Sequence, residues 1–374
     1  MGSSHAAGNG YRDDVDEIAT RAAPGRHNDL TDVTGVLVGH HDRRGRGWLT
    51  GTTVVLPPRH TTGAVDVRGG GPSSCETDAL APTTLVSTVD AIVLSGGSSY
   101  GLSAASGVRL WLGERNIGFP VGDRPSEVVP IVPAACLFDL GAGGSFTNRP
   151  DESFGRAAAE AASNRRIRQG SVGAGTGARA GSLKGGVGSA SVVLPSGLTV
   201  AALVAVNSGG EVADPGSGEL YGMRHLLDGE IPGLARPTPG DARRARPASG
   251  RVPLRPRNTL LAVVATDAAL AKHECTRLAA AAHDGMARAV VPIHTMTDGD
   301  IAFCLATGQR ELPATATEGG LRLESTRPGQ LSALSGAAAD VVTRAIVHAV
   351  VAARPTASAA SYRERYPSAF TPRG

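Results

Sequence analysis

The stretch RPRNTLLAVVATDA, residues 255–268, joins two kinds of sequence with no turn signal between them. Up to Asn258 the chain runs through a segment, residues 229–258, that is rich in Pro and Arg. Such a segment buries too little apolar surface to offset its ordering entropy, so we expect an exposed, mobile linker. From Thr259 onward, the run of Leu, Ala and Val is typical of a buried strand.

A cut between Asn258 and Thr259 would explain the missing turn. The linker would then end in a free carboxyl terminus, and Thr259 would become the first residue of the strand. An N-terminal threonine carries a hydroxyl nucleophile and an α-amino group whose pKa of roughly 7.7 to 8.0 suits a general base. The junction therefore has two interpretations: a variable surface insertion, which sequence statistics alone favour, and a self-cleaving chain with a threonine nucleophile.

The composition narrows the class of protein. The chain has 374 residues, 41% of them apolar, which is enough for one large domain or two ordinary ones. The formal charge is only +3, and Arg is concentrated in linkers and tails, so a nucleic-acid partner is not expected. The four cysteines lack C-x-x-C spacing and indicate reduced thiols in a cytoplasmic protein.

No segment predicts a membrane role. Residues 1–28 are polar and lack the apolar core of a signal peptide, so we expect a disordered tail there and a second tail over 354–374. The most apolar helical stretch, LSALSGAAADVVTRAIVHAVVAA from residue 331, contains charged side chains that hydrocarbon would penalise. We interpret it as a buried helix of a single domain over residues 29–353.

The secondary-structure patterns favour an α+β fold. Because predicted strands come in successive pairs followed by long Ala-rich helices, layers are favoured over a strict βαβ alternation. Asp267 is the expected N-cap of the helix that follows it. The predicted strands are GVLVGH (35–40), TTVVLPP (52–58), DAIVLSGG (90–97), SASVVLP (189–195), LTVAALVAVN (198–207) and TLLAVVAT (259–266), and the predicted helices cover 100–116, 152–166 and 267–290.

The pentapeptide GSSYG, residues 97–101, fits the G-x-S-x-G nucleophile elbow, with a predicted strand before it and a predicted helix after it. Ser99 would then be a serine nucleophile. In a chain with 50 glycines the pattern also arises by chance, and no HGGG-type oxyanion loop precedes it. A tight strand-to-helix turn is the simpler interpretation.

The stretch GAGTGARAGSLKGG, residues 173–186, has the glycine content of a phosphate-binding loop. G-x-x-x-x-G-K-[ST] cannot be aligned with it, because Lys184 follows Leu183, so a P-loop nucleotidase is rejected. What remains is a lysine in a glycine-rich backbone. It is either a solvated surface cation or a cation kept close to a reacting group.

The segment HTMTDGDIAF, residues 294–303, places Asp298 and Asp300 two residues apart, so an extended backbone points both carboxylates to one side. The pair is either an ordinary turn or a carboxylate pair that orients a proton-transfer partner. A calcium loop would need further oxygen ligands. The His and Cys spacing predicts no metal site, and His294, His40 and His41 are interpreted as structural.

Together these motifs resemble a family of self-cleaving N-terminal-nucleophile amidohydrolases, the DmpA-type aminopeptidases and nylon-oligomer (6-aminohexanoate oligomer) hydrolases, or P1 peptidases. The resemblance extends from about residue 28 to residue 353. It rests on AVDVRGGGPSSCETD, DAIVLSGGSSYGLSAASGV, IVPAACLFDL, RAGSLKGGVGSAS, LVAVNSGGEVAD, RNTLLAVVATDA and IHTMTDGD, all in the family's order.

The resemblance implies roles for particular residues. Thr259 corresponds to the nucleophile and Asn258 to the residue whose carbonyl is attacked in self-cleavage. Asp298 and Asp300 correspond to the carboxylates beside the nucleophile in the nylon-oligomer branch, where the aminopeptidase branch has Ser and Glu. Lys184 matches a lysine of the catalytic site.

Three further positions belong to the implied site. Asn207 matches an asparagine that donates to the oxyanion. Tyr100, in the GSSYG turn, is a possible pocket residue, although packing against the following helix explains it equally well. Phe138 stands where the nylon-oligomer branch has Tyr, so the missing hydroxyl puts the same substrate in question.

The resemblance also implies a four-layer αββα sandwich, a homotetramer, and no metal or organic cofactor. The expected substrates are small peptides, amino-acid amides or oligoamides. Two alternatives stay open at this point. One is an α/β-hydrolase-like serine esterase that uses Ser99, and the other is a catalytically silent binding protein on the same scaffold, suggested by Phe138.

Overall fold

The computed structural model of the protein describes residues 22–245, 258–312 and 326–370. Two five-stranded sheets form its centre. The first contains β1 (Leu37–Gly45), β2 (Trp48–Leu56), β4 (Ser74–Cys75), β5 (Ile92–Ser95) and β8 (Ala134–Cys136). The second contains β3 (Thr62–Val67), β11 (Gly186–Val193), β12 (Thr199–Asn207), β13 (Thr259–Ala268) and β14 (Ile301–Arg310). The strand orders are β1-β2-β5-β8-β4 and β11-β12-β13-β14-β3.

Helices cover the outer face of each sheet. The described helices are α1 (Ser103–Gly113), α2 (Glu152–Glu160), α3 (Pro239–Ala245), α4 (Lys272–Ala289), α5 (Arg327–Ala352) and α6 (Tyr362–Arg365). Two short ribbons, β6 (Phe119–Pro120) with β7 (Val128–Val129) and β9 (Arg179–Ala180) with β10 (Leu183–Lys184), complete the strands. The side chains of α1 and α2 pack on the first sheet, and those of α4 and α5 pack on the second.

The central strand β13 shows how the layers are held together. All ten of its residues are buried. Leu261 and Val263 face the core between the two sheets, whereas Leu260 and Ala262 face the core under α4 and α5. A strand buried on both faces has a continuous apolar sequence, which is what TLLAVVAT shows. The predicted four-layer αββα sandwich is confirmed.

The expected N-cap at Asp267 is wrong. Asp267 still lies in β13, where its carboxylate accepts the backbone N–H of Thr199 at 2.9 Å. The helix α4 begins later, after the N-cap Ala271, whose N–H donates to the Glu274 carboxylate at 2.8 Å. Asp267 bonds across the sheet because β12 lies beside it, a partner that local sequence does not reveal.

The helix α5 is the apolar stretch interpreted as buried. Its most apolar window has a mean hydropathy of 1.4, enough in length and composition for a membrane span, but 72% of that window is buried inside the protein. Arg344 in this helix is 1% exposed, and its guanidinium donates to the Glu230 carboxylate at 2.8 Å. The charge is therefore paired within the core, and α5 packs as a core helix.

The first part of the predicted linker 229–258, residues 229–245, combines exposed residues with a few that are packed against the rest of the protein. Asp241 in α3 is 1% exposed, and its carboxylate accepts the N–H of Ser368 at 2.7 Å. The Glu230 side chain is likewise 1% exposed and pairs with Arg344. Composition alone does not predict these buried residues, because their polar groups are satisfied by buried partners. The later part of the linker lies outside the described residues.

Both predicted tails are also partly packed. In the first, the N–H of Gly25 donates to the hydroxyl of Ser191 in β11 at 3.0 Å. In the second, Tyr362 is fully buried in the core of the second sheet, and its hydroxyl donates to the Gly218 carbonyl at 2.9 Å. Residues 1–21 and 371–374 lie outside the described residues.

Candidate active site

Thr259 is the first residue of β13 and lies in the middle of the second sheet, opposite Asn207 at the end of β12. It is only 4% exposed. Its hydroxyl donates to the backbone oxygen of Asn258 at 2.6 Å. The backbone N–H of Gly299 donates to that same oxygen at 2.9 Å. A side-chain hydroxyl and a backbone N–H thus meet at the carbonyl of the 258–259 peptide bond, an arrangement that could stabilise negative charge on its oxygen.

A glycine at position 299 permits this arrangement. A Cβ there would lie 2.6 Å from Thr259 Oγ1, a distance that real Cβ atoms essentially never show. The turn that carries Gly299 is fixed by the glycine-rich segment after β3: the N–H of Gly71 donates to the Asp298 carbonyl at 2.7 Å. A Cβ on Gly69 would lie 2.3 Å from the Asp300 nitrogen. These glycines let two backbone segments meet directly beside the nucleophile.

Asp300 is a buried carboxylate with three donors. Its Oδ1 accepts the N–H of Leu260 at 2.7 Å, next to the nucleophile. Its Oδ2 accepts the backbone N–H of His294 at 3.1 Å and faces the ring Nδ1 of His294 at 2.8 Å. Since a carboxylate accepts, Nδ1 carries the hydrogen. His294 adopts φ 58, in the left-handed region, so the backbone of this histidine is specially placed. Sequence patterns assigned it only a structural part.

Asp298 differs from Asp300 in its partners. Its backbone forms an isolated bridge with Asn258, so it lies beside the candidate cleavage point. Its Oδ2 accepts the N–H of Thr295 at 2.8 Å, whereas its buried Oδ1 has no hydrogen-bond partner among the described residues. Burial raises the pKa of this carboxyl, and the Asp300 charge adds to the effect. The site thus contains one unused acceptor next to Asn258.

Two backbone groups orient the Asn207 side chain, which lies opposite Thr259. Its Oδ1 accepts the N–H of Arg179 at 2.9 Å, and its Nδ2 donates to the Phe138 carbonyl at 3.2 Å. The structure therefore brings Asn207 and Phe138 into the neighbourhood of Thr259, as the sequence predicted. An amide nitrogen held in this way has a second N–H for another acceptor.

Lys184 is not a surface cation. It is 1% exposed, and its Nζ donates to the carbonyls of Gly175 and Gly185, both at 2.8 Å. Burial, helped by the nearby charge of Arg44 and opposed by that of Asp139, lowers the pKa of Lys184 to about 7. Among the described residues it makes no hydrogen bond to Thr259. Lys184 therefore stabilises the glycine-rich backbone of this region through the two carbonyl oxygens that it binds.

A cleft of 370 Å³ lies beside Asn258. Of the two residues predicted for the substrate pocket, Phe138 lines this cleft and Tyr100 is not among its described lining residues. Tyr100 is half exposed and its ring lies under the guanidinium of Arg149, 3.6 Å from the ring centroid to the guanidinium carbon. The described lining residues are Phe138, Asp139, Leu140, Gly141, Ala142, Gly177, Arg179, Asn207, Asn258 and Ser358.

Ser99 lacks the partners of a nucleophile. It is exposed on a 3-10 turn, Ser98–Leu102, between β5 and α1. Where the structure describes the chain, no histidine or carboxylate forms a hydrogen bond with its hydroxyl. The left-handed residues of this turn are Gly97, with φ 86, and Ser98, with φ 52, rather than Ser99. The GSSYG segment is therefore a turn. Across the described ranges, no three His, Cys, Asp or Glu residues are grouped as metal ligands.

The sequence is similar to those of known peptidases and amide hydrolases. The sequence profile of peptidase family S58 matches residues 28–363. An uncharacterized aminopeptidase of Mycobacterium tuberculosis (strain ATCC 25618 / H37Rv) is 47% identical, over 92% of this chain and 99% of the relative. A 6-aminohexanoate-oligomer endohydrolase of Kocuria sp. (strain KY2) is 31% identical, over 82% of this chain and 83% of the relative.

Solved structures share the fold. A beta-aminopeptidase of Burkholderia sp. has a TM-score of 0.67 at 26% identity, covering 92% of this chain and 93% of that one. The L-aminopeptidase D-Ala-esterase/amidase of Ochrobactrum anthropi, described as a variant of the Ntn hydrolase fold, has a TM-score of 0.67 at 22% identity with the same coverage.

Proposed function

The chain belongs to peptidase family S58, and from this premise we propose that it is a self-processing amidohydrolase whose nucleophile is Thr259. The observation that carries the proposal is the 2.6 Å contact between the Thr259 hydroxyl and the carbonyl oxygen of Asn258. The N–H of Gly299 binds the same oxygen, and the whole arrangement is buried. A plain strand terminus would not require a nucleophile, a carbonyl and an oxyanion donor in one place.

Maturation begins when Thr259 Oγ1 attacks the carbonyl carbon of Asn258. The Gly299 N–H stabilises the negative charge on the oxygen, a contribution of roughly 3 to 4 kcal/mol per donor in well-studied hydrolases. The hydroxyl proton passes to the Thr259 nitrogen, the C–N bond breaks, and an ester to Thr259 remains. Water then hydrolyses that ester, which leaves a carboxylate on Asn258 and a free amine and hydroxyl on Thr259.

Turnover uses the amine that maturation frees. The neutral α-amine takes the proton of the Thr259 hydroxyl as the oxygen attacks a substrate amide, and it then gives the proton to the leaving amine. The unused Oδ1 of Asp298 accepts a hydrogen bond from the α-amine and orients it. Asp300 holds the start of β13 through the N–H of Leu260. Asn207 offers its second amide N–H to the substrate oxygen, and water finally releases the acyl group from Thr259.

The substrates are amides of peptides, amino acids or oligoamides. Relatives named as aminopeptidases and as 6-aminohexanoate-oligomer endohydrolases support this class. An esterase based on Ser99 is not favoured, because that hydroxyl is exposed and lacks a base among the described residues. A silent binding protein would not need the buried carboxylates around Thr259.

The experiment that tests the proposal follows the intact mass of the purified chain. We expect two pieces, the smaller beginning Thr-Leu-Leu-Ala. Thr259→Ala should stay whole and inactive toward amides while it remains folded, and Ser99→Ala should mature normally. Asp298→Asn should mature slowly and, once processed, turn over about tenfold or more slowly, because the charged acceptor for the amine is gone. A parent chain that stays intact at neutral pH, or an active Thr259→Ala variant, contradicts the proposal.

A further inference from the structure

Asp139 is a buried carboxylate that takes no part in the proposed reaction steps. It is 6% exposed and lies in the loop after β8 that lines the cleft beside Asn258. We propose that Asp139 is a positioning residue for turnover: through the Phe138 carbonyl it fixes the orientation of the Asn207 amide, which donates to the substrate oxygen. The inference rests on the proposed function, because it takes Asn207 as that donor.

Asp139 joins the loop after β8 to the turn after β5. Its Oδ1 accepts the N–H of Gly97 at 2.7 Å. Beside this bond, the N–H of Ser98 donates to the Leu137 carbonyl at 2.9 Å. Gly97 and Ser98 adopt φ 86 and φ 52, a left-handed path that few sequences follow. The GSSYG segment, residues 97–101, thus supplies two backbone N–H groups that hold the cleft loop.

The second oxygen of Asp139 is closely enclosed. A Cβ on Gly96 would lie 2.2 Å from Thr50 Oγ1 and 2.3 Å from Asp139 Oδ2, so the two oxygens are close neighbours. A Cβ on Gly177 would lie 2.8 Å from Oδ2. The turn after β5, the hydroxyl of Thr50 and the backbone at Gly177 therefore surround the carboxylate, and a longer side chain at position 139 fits only if the loop moves.

The loop held by Asp139 carries the acceptor that orients Asn207. The Asn207 Nδ2 donates to the Phe138 carbonyl at 3.2 Å, and its Oδ1 accepts the N–H of Arg179 at 2.9 Å. These two bonds fix the plane of the amide and the direction of its remaining N–H. Because Asn207 lies directly opposite Thr259 in the β12–β13 pair, both side chains are on one face of the sheet. A shift of the Phe138 carbonyl would misdirect the N–H that turnover uses.

Maturation draws on different groups. The Asn258 carbonyl oxygen accepts the Gly299 N–H and the Thr259 hydroxyl, and neither of these donors is hydrogen-bonded to Asp139 where the structure describes the chain. A change at Asp139 should therefore slow turnover much more than self-cleavage. A general loss of structure around the cleft would slow both.

The test compares two replacements that separate position from charge. Asp139→Asn removes the charge but keeps a carbonyl oxygen for the Gly97 N–H, and its amide N–H can donate to Thr50 Oγ1. Asp139→Glu keeps the charge but adds a methylene, which displaces the carboxylate or the loop by on the order of 1 Å. Asp139→Ala, which removes the acceptor entirely, takes the place of Asp139→Glu if the latter does not fold.

The assay uses processed enzyme and the p-nitroanilides of alanine, β-alanine and 6-aminohexanoate. On the best-cleaved amide we expect kcat of Asp139→Glu to fall about tenfold or more at a nearly unchanged KM, because the misplaced donor acts in the transition state. Asp139→Asn should stay within about threefold of the parent kcat. Self-cleavage, followed by intact mass, should stay within about threefold of the parent rate in both variants.

Asp90→Ala is the matched control. The Asp90 Oδ2 accepts the N–H of Ile131 at 2.8 Å, at the opposite end of the parallel β5–β8 pair. Its loss removes a bond of the same kind away from the cleft and should leave kcat at the parent value.

Four results would overturn the proposal: the parent kcat in Asp139→Glu, an Asp139→Asn variant as slow as Asp139→Glu, self-cleavage slowed as much as turnover, or an equal loss of kcat in Asp90→Ala. A slow Asn variant with an active Glu variant would likewise contradict it, because the charge of Asp139, which favours the charged form of Lys184, would then matter instead of its position. A processed parent enzyme that cleaves none of the amides refutes the proposed amidohydrolase itself, a result distinct from these.

Discussion

Replacing Gly299 with Ala should slow maturation by about a hundredfold while leaving the fold intact. The added Cβ would lie 2.6 Å from Thr259 Oγ1, 2.9 Å from the Gly71 oxygen and 3.2 Å from Pro72 Cα. To reach ordinary van der Waals distance, the hydroxyl has to move by about 1 Å. It can do so by rotating about χ1, which breaks its hydrogen bond to the Asn258 oxygen.

The magnitudes differ for rate and stability. A strained rotamer costs about 0.5 to 1.5 kcal/mol and the lost hydrogen bond about 1 kcal/mol, so the free energy of unfolding should fall by about 2 kcal/mol. Misplacing a reacting atom by about 1 Å slows a reaction by about a hundredfold. Self-cleavage should therefore slow by about two orders of magnitude in a protein that is still folded.

Gly71→Ala is the matched control. Gly71 lies in the segment that binds the same turn, but the nearest atoms to its added Cβ are 3.7 Å away, which is ordinary contact. Its N–H bond to the Asp298 carbonyl is retained in alanine. The assay follows the appearance of the two pieces by intact mass after purification, with thermal unfolding of each variant alongside. Maturation of Gly299→Ala at the parent rate would refute the steric role of Gly299. So would a Gly71→Ala variant that matures as slowly as Gly299→Ala.

Two further predictions concern the His294 and Lys184 side chains. His294→Asn keeps an N–H near the position of Nδ1 and suits φ 58, so self-cleavage should stay near the parent rate, whereas His294→Gln should slow it about tenfold or more. The control is His60→Gln, at an exposed histidine with φ 66. Equal rates of self-cleavage for the two His294 variants would contradict the role of the hydrogen bond to Asp300. The pKa of Lys184 falls from 10.5 to about 7 on folding, so the unfolded chain binds the extra proton between these values and the contribution of Lys184 to stability becomes more favourable as pH rises from about 7 to 10.5. Urea unfolding of the parent and of Lys184→Met should show a difference that changes across this window by at most about 5 kcal/mol, and a pH-independent difference would rule out the shift.

Much of the fold follows from local patterns in the sequence. The run TLLAVVAT predicts a strand buried on both faces, and β13 is such a strand. The linker prediction misses the packed residues of its first part because composition counts apolar surface and does not register a specific buried pair such as Glu230 with Arg344. The N-cap prediction at Asp267 is wrong for a related reason: the partner of the carboxylate comes from a neighbouring strand.

Some residues of the candidate site could be predicted from the sequence, and others could not. Motifs in the sequence indicated Thr259 and the two aspartates, because their chemistry is carried by residue type. They did not indicate a role for Gly299 or His294, although both residues lie within the segment HTMTDGD, residues 294–300. The part played by a backbone N–H or by a histidine in the left-handed region depends on where the chain turns in space. A glycine between two aspartates was the only available signal.

Burial of the junction bears on how the chain is cut. Asn258 is 7% exposed and Thr259 is 4% exposed, and the carbonyl between them is already bonded to the Gly299 N–H and the Thr259 hydroxyl. A protease must draw an extended segment of about several residues into its own cleft, which the first residue of a central strand does not permit. The fold that hides the bond from other enzymes also presents it to the hydroxyl of Thr259, so we expect the proposed cleavage at this point to be intramolecular.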